Sequence, residues 1–148
     1  MLDELDLKIL RTLQSNGRTK RNMLAEQVGL SIPSVSDRLK KLEDSGIIEG
    51  YYTKVKRQAF GFDILAFILV MMDSSKHYKD LIKHVEKHPK IIECYSVLGD
   101  GSHLIKVTVK NTEALEKLLS EIQTWTGVTS TKTTYVLSTI KETTSINI

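Results

Sequence analysis

The chain of 148 residues has one cysteine, two prolines and no long hydrophobic run. Because a single thiol can form neither an intramolecular disulfide nor a cysteine-based zinc site, Cys94 predicts a protein of a reducing compartment, the cytoplasm. The longest apolar run, residues 64–72, is too short to cross a bilayer as a helix. Residues 1–17 predict an acidic amphipathic helix without the apolar core of a signal peptide, so no export is expected.

Enzymatic signatures are also missing from the sequence. It contains no nucleophile motif, no phosphate-cradling glycine loop, no paired carboxylates at a recognisable spacing and no cofactor fingerprint. We therefore expect a protein that is not an enzyme and that needs no cofactor.

Positive charge is concentrated in one part of the chain. Residues 1–60 contain 11 Lys and Arg against 8 Asp and Glu, whereas residues 61–148 contain 10 of each. Within residues 18–57 the excess grows to nine cations against five acids. A local excess of this kind predicts contact with a polyanion such as DNA.

Residues 18–52 predict two short helices around a tight turn. Gly29 ends the first helix in the left-handed conformation, Ser31 can cap the second, and Pro33 is tolerated in the first turn of a helix. Apolar residues recur in the second helix at Val35, Leu39 and Leu42, which gives it one buried face.

The opposite face of the second helix carries polar and cationic side chains. They are Pro33, Ser34, Ser36, Asp37, Lys40, Lys41 and Asp44, with Arg38 at the margin. Small polar residues followed by cations suit the recognition helix of a helix-turn-helix, which presents its first turns to base edges. A plain helical hairpin with a solvated charged face is the alternative interpretation.

Beyond Gly46 the pattern becomes extended, and it predicts a short strand or β-ribbon of the winged type. The residues that carry this pattern are Ile47, Ile48, Tyr51, Tyr52 and Val55. Lys54, Lys56 and Arg57 then indicate a basic linker. We expect a DNA-binding domain over residues 1–52, a linker or strand over 53–61 and a second domain over 62–148.

The second domain has the predicted order βαββαβ. The expected strands cover residues 64–73, 90–98, 103–109 and 128–139, and the helices cover 76–88 and 112–125. This order predicts an α+β protein with a ferredoxin-like sheet and both helices on one face. The other sheet face needs a cover, and a second copy of the chain is the expected one.

With these motifs in view, the chain resembles the Lrp/AsnC family of prokaryotic transcription regulators over nearly its full length. The resemblance rests on LDELDLKILRTLQSNGR, LAEQVGLSIPSVSDRLKKLEDSGIIEGYY, Phe60 and Gly61, and VLGDGSHLIKV. It implies a helix-turn-helix joined to a ferredoxin-like domain that dimerises, often forms larger assemblies and binds small effectors, typically amino acids. The implied partner is double-stranded DNA with a pseudo-palindromic operator.

The resemblance places the recognition helix at residues 31–41. Arg38 is the strongest candidate for a base contact, since a bidentate arginine pair with guanine discriminates by about 1 to 3 kcal/mol. The full set of predicted DNA contacts is Arg18, Thr19, Lys20, Ser31, Pro33, Ser34, Ser36, Asp37, Arg38, Lys40, Lys41 and Lys54. Those before the first helix of the pair are expected to position the protein on phosphates.

The turn between the second and third strands is the predicted effector site. It comprises Gly99, Asp100, Gly101, Ser102 and His103, and in the family this turn commonly reads glycine, any two residues, then aspartate. Ser102 stands where the aspartate is usual, and Asp100 is the carboxylate that can replace it. An amino acid, another effector or none are all compatible with the sequence, and the glycines can also serve only the hairpin.

Two other interpretations are compatible with the sequence. His77, His84 and His88 share one side of a predicted helix, but no cysteine or carboxylate completes a metal site, so none is expected. A nucleoid-type architectural protein of low sequence specificity is one functional alternative, because phosphate contacts alone give substantial affinity. An enzyme on the ferredoxin-like fold is the other.

Overall fold

The computed structural model describes residues 2–148, which divide into two compact units. The first unit holds the residues up to Lys54 together with Lys141–Ile148, and the second is Val55–Ile140. No helix in the described part of the chain is long and apolar enough to cross a membrane.

Three helices form most of the first unit: α1 (Glu4–Ser15), α2 (Arg21–Val28) and α3 (Ile32–Asp44). Asp3 caps α1 by accepting hydrogen bonds from the backbone of Leu5 and Asp6. Gly29 ends α2 with φ 69°, a conformation that glycine adopts without the penalty of a Cβ. Ser31 accepts from the backbone N–H of Ser34 and so begins α3, as the sequence predicts.

The core of this unit joins all three helices. It consists of Ile9, Leu24, Ala25, Val28, Val35 and Leu39, with Leu5, Leu13, Leu30 and Ile48 packed against it. Since the buried residues of α3 recur at helical spacing, the direction of its remaining side chains is set by this packing.

The strand predicted after α3 is not formed, and this prediction was wrong. Residues 47–56 bend at 47–48, then follow an irregular path and have no ladder partner in the described chain, and a strand needs such a partner for its backbone groups. Ile48 instead donates its N–H to the carbonyl of Leu42 at 3.0 Å, and the Tyr51 hydroxyl donates to Glu43 at 2.9 Å. These bonds hold the segment against the end of α3.

The last eight residues belong to the first unit, although the sequence analysis assigned them to the second. The Gln14 side chain of α1 pairs with the backbone of Ile146, accepting from its N–H at 2.7 Å and donating to its carbonyl at 3.0 Å. Arg11 donates to the carbonyl of Ile148 at 2.6 Å. Side chains of α1 thus recognise the main chain of this segment, which apolar periodicity does not reveal.

The second unit begins with a 3₁₀ turn (Arg57–Phe60) and contains a four-stranded sheet with two long helices. The strands are β1 (Ile64–Met72), β2 (Ile91–Ser96), β3 (His103–Val109) and β4 (Val128–Tyr135). The helices are α4 (Tyr78–Lys87), preceded by a 3₁₀ turn (Ser75–His77), and α5 (Thr112–Thr124). The spatial order β2-β3-β1-β4 with antiparallel pairing confirms the predicted ferredoxin-like fold.

One face of this sheet is buried under the helices. Its residues include Ile64, Ala66, Ile68 and Val70 of β1 and Ile105, Val107 and Val109 of β3, packed with Leu81, Leu118, Ile122 and Trp125. The alternate residues of the same strands point to the other face. We call that second surface the open sheet face; it contains Phe67, Leu69 and Met71 of β1, Leu104 and Lys106 of β3, and Glu93 and Tyr95 of β2.

Candidate DNA-binding and effector sites

Most of the predicted DNA contacts lie on the surface of the first unit. Exposed members of the set are Arg18, Lys20, Ser31, Pro33, Ser34, Asp37, Lys40, Lys41 and Lys54, while Thr19, Ser36 and Arg38 are half-buried. Lys54 pairs with Glu142 at 2.5 Å. Within residues 2–148 no ion pair holds Arg18, Lys20, Lys40 or Lys41, so their charges face solvent.

The first turn of α3 is organised by two serines. The hydroxyls of Ser31 and Ser34 lie 2.8 Å apart, and the Ser31 oxygen also accepts from the Ser34 backbone at 3.3 Å. The Ser31 hydroxyl is therefore engaged in starting the helix. Ser34 remains exposed and retains capacity for a further hydrogen bond.

Arg38 occupies a different environment from the other cations of α3. Its Nη1 lies 2.7 Å from Asp3 Oδ2 and 2.7 Å from Asp6 Oδ1, and its side chain is 27% exposed. Hydrogen bonds from the Asp6 backbone and from Arg38 lower the pKa of Asp3, and those to Asp6 and Asp3 raise the pKa of Arg38. A base contact by Arg38 stays a prediction, whereas its bonds to the start of α1 belong to the structure.

Residues 18–20 connect α1 to α2, where the sequence predicts phosphate contacts. Asn16 organises this turn: its side chain accepts from the backbone of Arg18 at 3.0 Å, and its carbonyl accepts from the Thr19 hydroxyl at 2.7 Å. Lys20 occupies the cap position of α2 without a side-chain cap. The backbone donors of the first turn of α2 and the exposed cations beside them together suit an anion.

The predicted effector turn separates into an exposed tip and a packed base. Leu98, Gly99 and Asp100 are exposed at the tip. The Ser102 hydroxyl lies 3.3 Å from the carbonyl of Val70 and 2.8 Å from Nδ1 of His103, so Ser102 is used within the fold.

The packing at the base explains one of the two glycines in the turn. A Cβ on Gly101 would lie 2.5 Å from Cγ of Leu69 and 3.0 Å from the carbonyl of Val70, so the close approach of β1 requires glycine. Gly99 has φ 124°, a region that side chains strongly disfavour. Both glycines therefore have structural reasons to be in the hairpin.

His103 is buried at the base of the same turn. Only 4% of the residue is exposed, and the ring of Tyr78 packs edge-on with centroids 4.8 Å apart. Burial lowers the pKa of His103 from its ordinary value of 6.5, because the charged imidazolium loses its hydration there. The side chain is therefore a neutral part of the core at pH 7.

The remaining histidines each have a different polar or aromatic neighbour, although the rings of His84 and His88 both lie near Trp125, with centroids at 4.8 and 6.2 Å. His77 pairs with Asp73 at 2.7 Å, His84 stacks on Trp125 at 4.8 Å, and His88 lies 3.2 Å from Glu121. No group of three potential metal ligands occurs among the described residues.

Two features of the first unit were missed by the sequence reasoning. Residues 1–17 were interpreted only as an acidic amphipathic helix, whereas Asp3 and Asp6 in it also bind Arg38. The sequence does contain a signal for this pairing. Asp3 precedes the first helix, Asp6 follows three residues later, and the cation Arg38 lies 32 residues after Asp6. The docking of residues 141–148 left no comparable signal.

Known proteins are similar to this chain over nearly its full length. A winged helix-turn-helix DNA-binding family matches residues 2–49, and the Lrp/AsnC ligand binding domain matches residues 65–146. The HTH-type transcriptional regulator FL11 of Pyrococcus horikoshii is 36% identical over 147 residues, which are 99% of this chain and 97% of that protein. The regulator LrpA of Mycobacterium tuberculosis is 33% identical over 138 residues, 93% of this chain and 91% of that protein.

Solved structures show the same likeness in three dimensions. A transcriptional regulator of Neisseria meningitidis in complex with L-methionine superposes with TM-score 0.93 at 32% identity, covering 99% of this chain and 97% of that one. Escherichia coli AsnC superposes with TM-score 0.91 at 33% identity, covering 98% of each chain.

The buried histidine makes the stability of the second unit depend on pH. The unfolded chain takes up this proton near pH 6.5 and the folded chain only at lower pH, so stability is complete above pH 6.5 and falls below it. We expect His103→Phe to reduce the loss of unfolding free energy between pH 7 and pH 5, measured by urea denaturation with circular dichroism. The control Gln123→Ala removes an exposed side chain of α5 without an ionisable group and is expected to keep the wild-type slope; equal slopes for all three proteins would contradict the prediction.

Proposed function

This chain belongs to the Lrp/AsnC family of transcription regulators, and we propose that it binds specific double-stranded DNA sites as a homo-oligomer that responds to a small effector. The proposal places the protein in the cytoplasm and assigns it no catalytic activity. It rests chiefly on one observation: α3 is capped, buried along one side and exposed along its serine and lysine side.

The exposed side of α3 supports contact with a DNA groove. Its first turn offers Ser34, and Asp37, Lys40 and Lys41 follow on the solvated surface. Short polar side chains can exchange hydrogen bonds with base edges, whereas lysines bind phosphates and guanine. Lys20, at the start of α2, adds a cation suited to the phosphate backbone.

Oligomerisation is supported by the open sheet face. Phe67, Leu69 and Met71 are only half-buried there, next to Leu104 and Tyr95, so apolar surface stays accessible to solvent in the single chain. Lys106 lies over the Phe67 ring at 6.0 Å and pairs with Glu93 at 3.3 Å, which adds polar groups to this surface. In a dimer with a twofold axis, the open sheet faces of the two copies would cover each other, and the second copy would bring a second α3 to the DNA.

Effector binding is supported by the tip of the β2–β3 turn. Asp100 is exposed there and can accept hydrogen bonds from an ammonium group, and exposed Leu98 offers apolar contact nearby. The relative from Neisseria meningitidis binds L-methionine, which makes an amino acid the first ligand class to test.

Loss of a phosphate contact is expected to lower the salt dependence of DNA binding. For Lys20→Ala we expect weaker binding to selected and random duplexes alike, with the slope of log K against log salt reduced by about 0.9. Fluorescence anisotropy over a salt series measures this slope. Lys87→Ala, which removes an exposed lysine of α4, is the matched control, and a slope that falls equally in both variants would contradict the assignment.

A charge on the open sheet face is expected to dissociate the oligomer. In Phe67→Glu a carboxylate would be buried in the proposed interface without a matched partner from the second copy, which opposes association. Sedimentation velocity should then show a smaller species than wild type. Ile82→Glu, at an exposed apolar position of α4, should keep the wild-type assembly; a monomeric wild type or an unchanged Phe67→Glu would contradict the proposal.

Replacement of the exposed carboxylate is expected to remove amino-acid binding. Asp100→Asn keeps the size of the side chain but removes the charge that would hold an ammonium group. Calorimetric titration with L-methionine and a panel of amino acids should show binding to wild type and to the control Glu116→Gln, but not to Asp100→Asn. Equal binding by all three proteins would move the site elsewhere, and no binding by wild type would remove amino acids as effectors.

A further inference from the structure

Arg38 is the one cation of α3 whose charge is already neutralised by its own chain. Its guanidinium contacts two carboxylates at the start of α1, both at 2.7 Å. Lys40 and Lys41, on the same helix, form no ion pair within residues 2–148. This difference separates the role of Arg38 from the roles of the neighbouring cations.

The two carboxylates also build the beginning of α1. Asp3 Oδ1 accepts from the backbone of Leu5 at 3.0 Å and of Asp6 at 2.8 Å, while Asp6 Oδ2 accepts from the backbone of Asp3 at 3.1 Å. Each carboxylate uses its remaining oxygen to bind Arg38. A single guanidinium therefore joins the capping box of α1 to the middle of α3.

Burial makes this connection costly to exchange for a DNA contact. The side chain of Asp6 is 13% exposed and that of Arg38 is 27% exposed. A swing of Arg38 to a base would leave the Asp6 carboxylate shielded from water and without a cation. Both bonds start from Nη1, whose two N–H groups can serve one carboxylate each.

We propose that Arg38 is a positioning residue for DNA recognition: its bonds to Asp3 and Asp6 fix the rotation of α3 against α1. The proposal rests on the DNA-binding function given above. Arg38 lies one turn after Ser34 and beside Asp37 and Lys41, so a rotation of α3 would move all three relative to a groove. Packing of Val35 and Leu39 selects the side of α3 that is buried, and the ion pairs add a directional contact that fixes its rotation more closely.

Replacing both aspartates distinguishes a positioning role of Arg38 from a purely electrostatic one, because the two roles predict opposite changes in DNA affinity. Asp3→Asn with Asp6→Asn removes two negative charges from the DNA-binding unit, which by charge alone should strengthen DNA binding. If the pairs orient α3, the same change should weaken binding to selected sites. Asparagine is a good capping residue and keeps an oxygen for each helix bond, so the start of α1 is retained.

The experiment compares Arg38→Met, Arg38→Lys, Asp3→Asn/Asp6→Asn and the triple variant Asp3→Asn/Asp6→Asn/Arg38→Met with wild type. Duplexes enriched by wild type from a random library serve as specific sites, and anisotropy is measured over a salt series at a temperature where circular dichroism shows every variant folded. Glu4→Gln, which removes a neighbouring acid of the first turn that does not contact Arg38, is the matched control.

We expect Arg38→Met and Asp3→Asn/Asp6→Asn each to weaken binding to selected sites by about tenfold, and binding to random duplexes less. The salt slope should stay at its wild-type value, and the triple variant should bind no worse than Arg38→Met, because both changes break one connection. Arg38→Lys should recover part of the loss, and Glu4→Gln should not weaken binding.

Two results would overturn the proposal. A salt slope reduced by about one in Arg38→Met, with stronger binding by Asp3→Asn/Asp6→Asn, would make Arg38 a direct DNA contact. Unchanged affinity in all folded variants would leave the ion pairs a purely stabilising role. Failure of wild type to prefer enriched over random duplexes would instead refute the proposed function, before any variant is compared.

Discussion

The packing of α3 against α1 and α2 determines which of its side chains reach solvent. Burial of Val35, Leu39 and Leu42 leaves one side of α3 in water, and the sequence places serine and lysine on that side. The cap at Ser31 sets where the helix begins, and therefore which residues lie in its first turns. Removal of apolar surface from water thus determines which polar groups can meet DNA.

The same principle acts on the sheet of the second unit with a different result. Period-two alternation in β1 and β3 gives the sheet two different faces: α4 and α5 cover one, and the other carries the apolar side chains of β1 beside Leu104 and Lys106 of β3. Ile68 and Ile105 lie opposite each other on the covered face, whereas Leu69 and Leu104 lie opposite each other on the open sheet face. A single chain with two helices on one side leaves the second apolar surface for a partner.

Local patterns predicted the parts of this fold that local interactions stabilise. Gly29 and Ser31 act at the helix ends where the sequence predicts them, and β3 spans residues 103–109 as expected. The strand predicted after α3 failed because β-branched and aromatic residues report a propensity but not a partner. The DNA-binding candidates of α3 were predicted as one face of that helix, which periodicity reveals.

Contacts between residues distant in sequence could not be predicted in the same way. The pairing of Arg38 with Asp3 and Asp6 depends on how α1 crosses α3, and the binding of Ile146 by Gln14 involves backbone groups that every residue has. His103 was interpreted as a group at the effector turn, yet its ring lies inside because odd positions of β3 face the helices. In each case the contacts of the residue depend on how elements distant in sequence pack together.

Backbone amide NMR during titration with an enriched duplex would show whether the exposed side of α3 meets DNA. We predict that the largest shift changes fall within residues 31–41 and around Lys20. Changes confined to the sheet and helices of the second unit, with the signals of α3 unmoved, would contradict it.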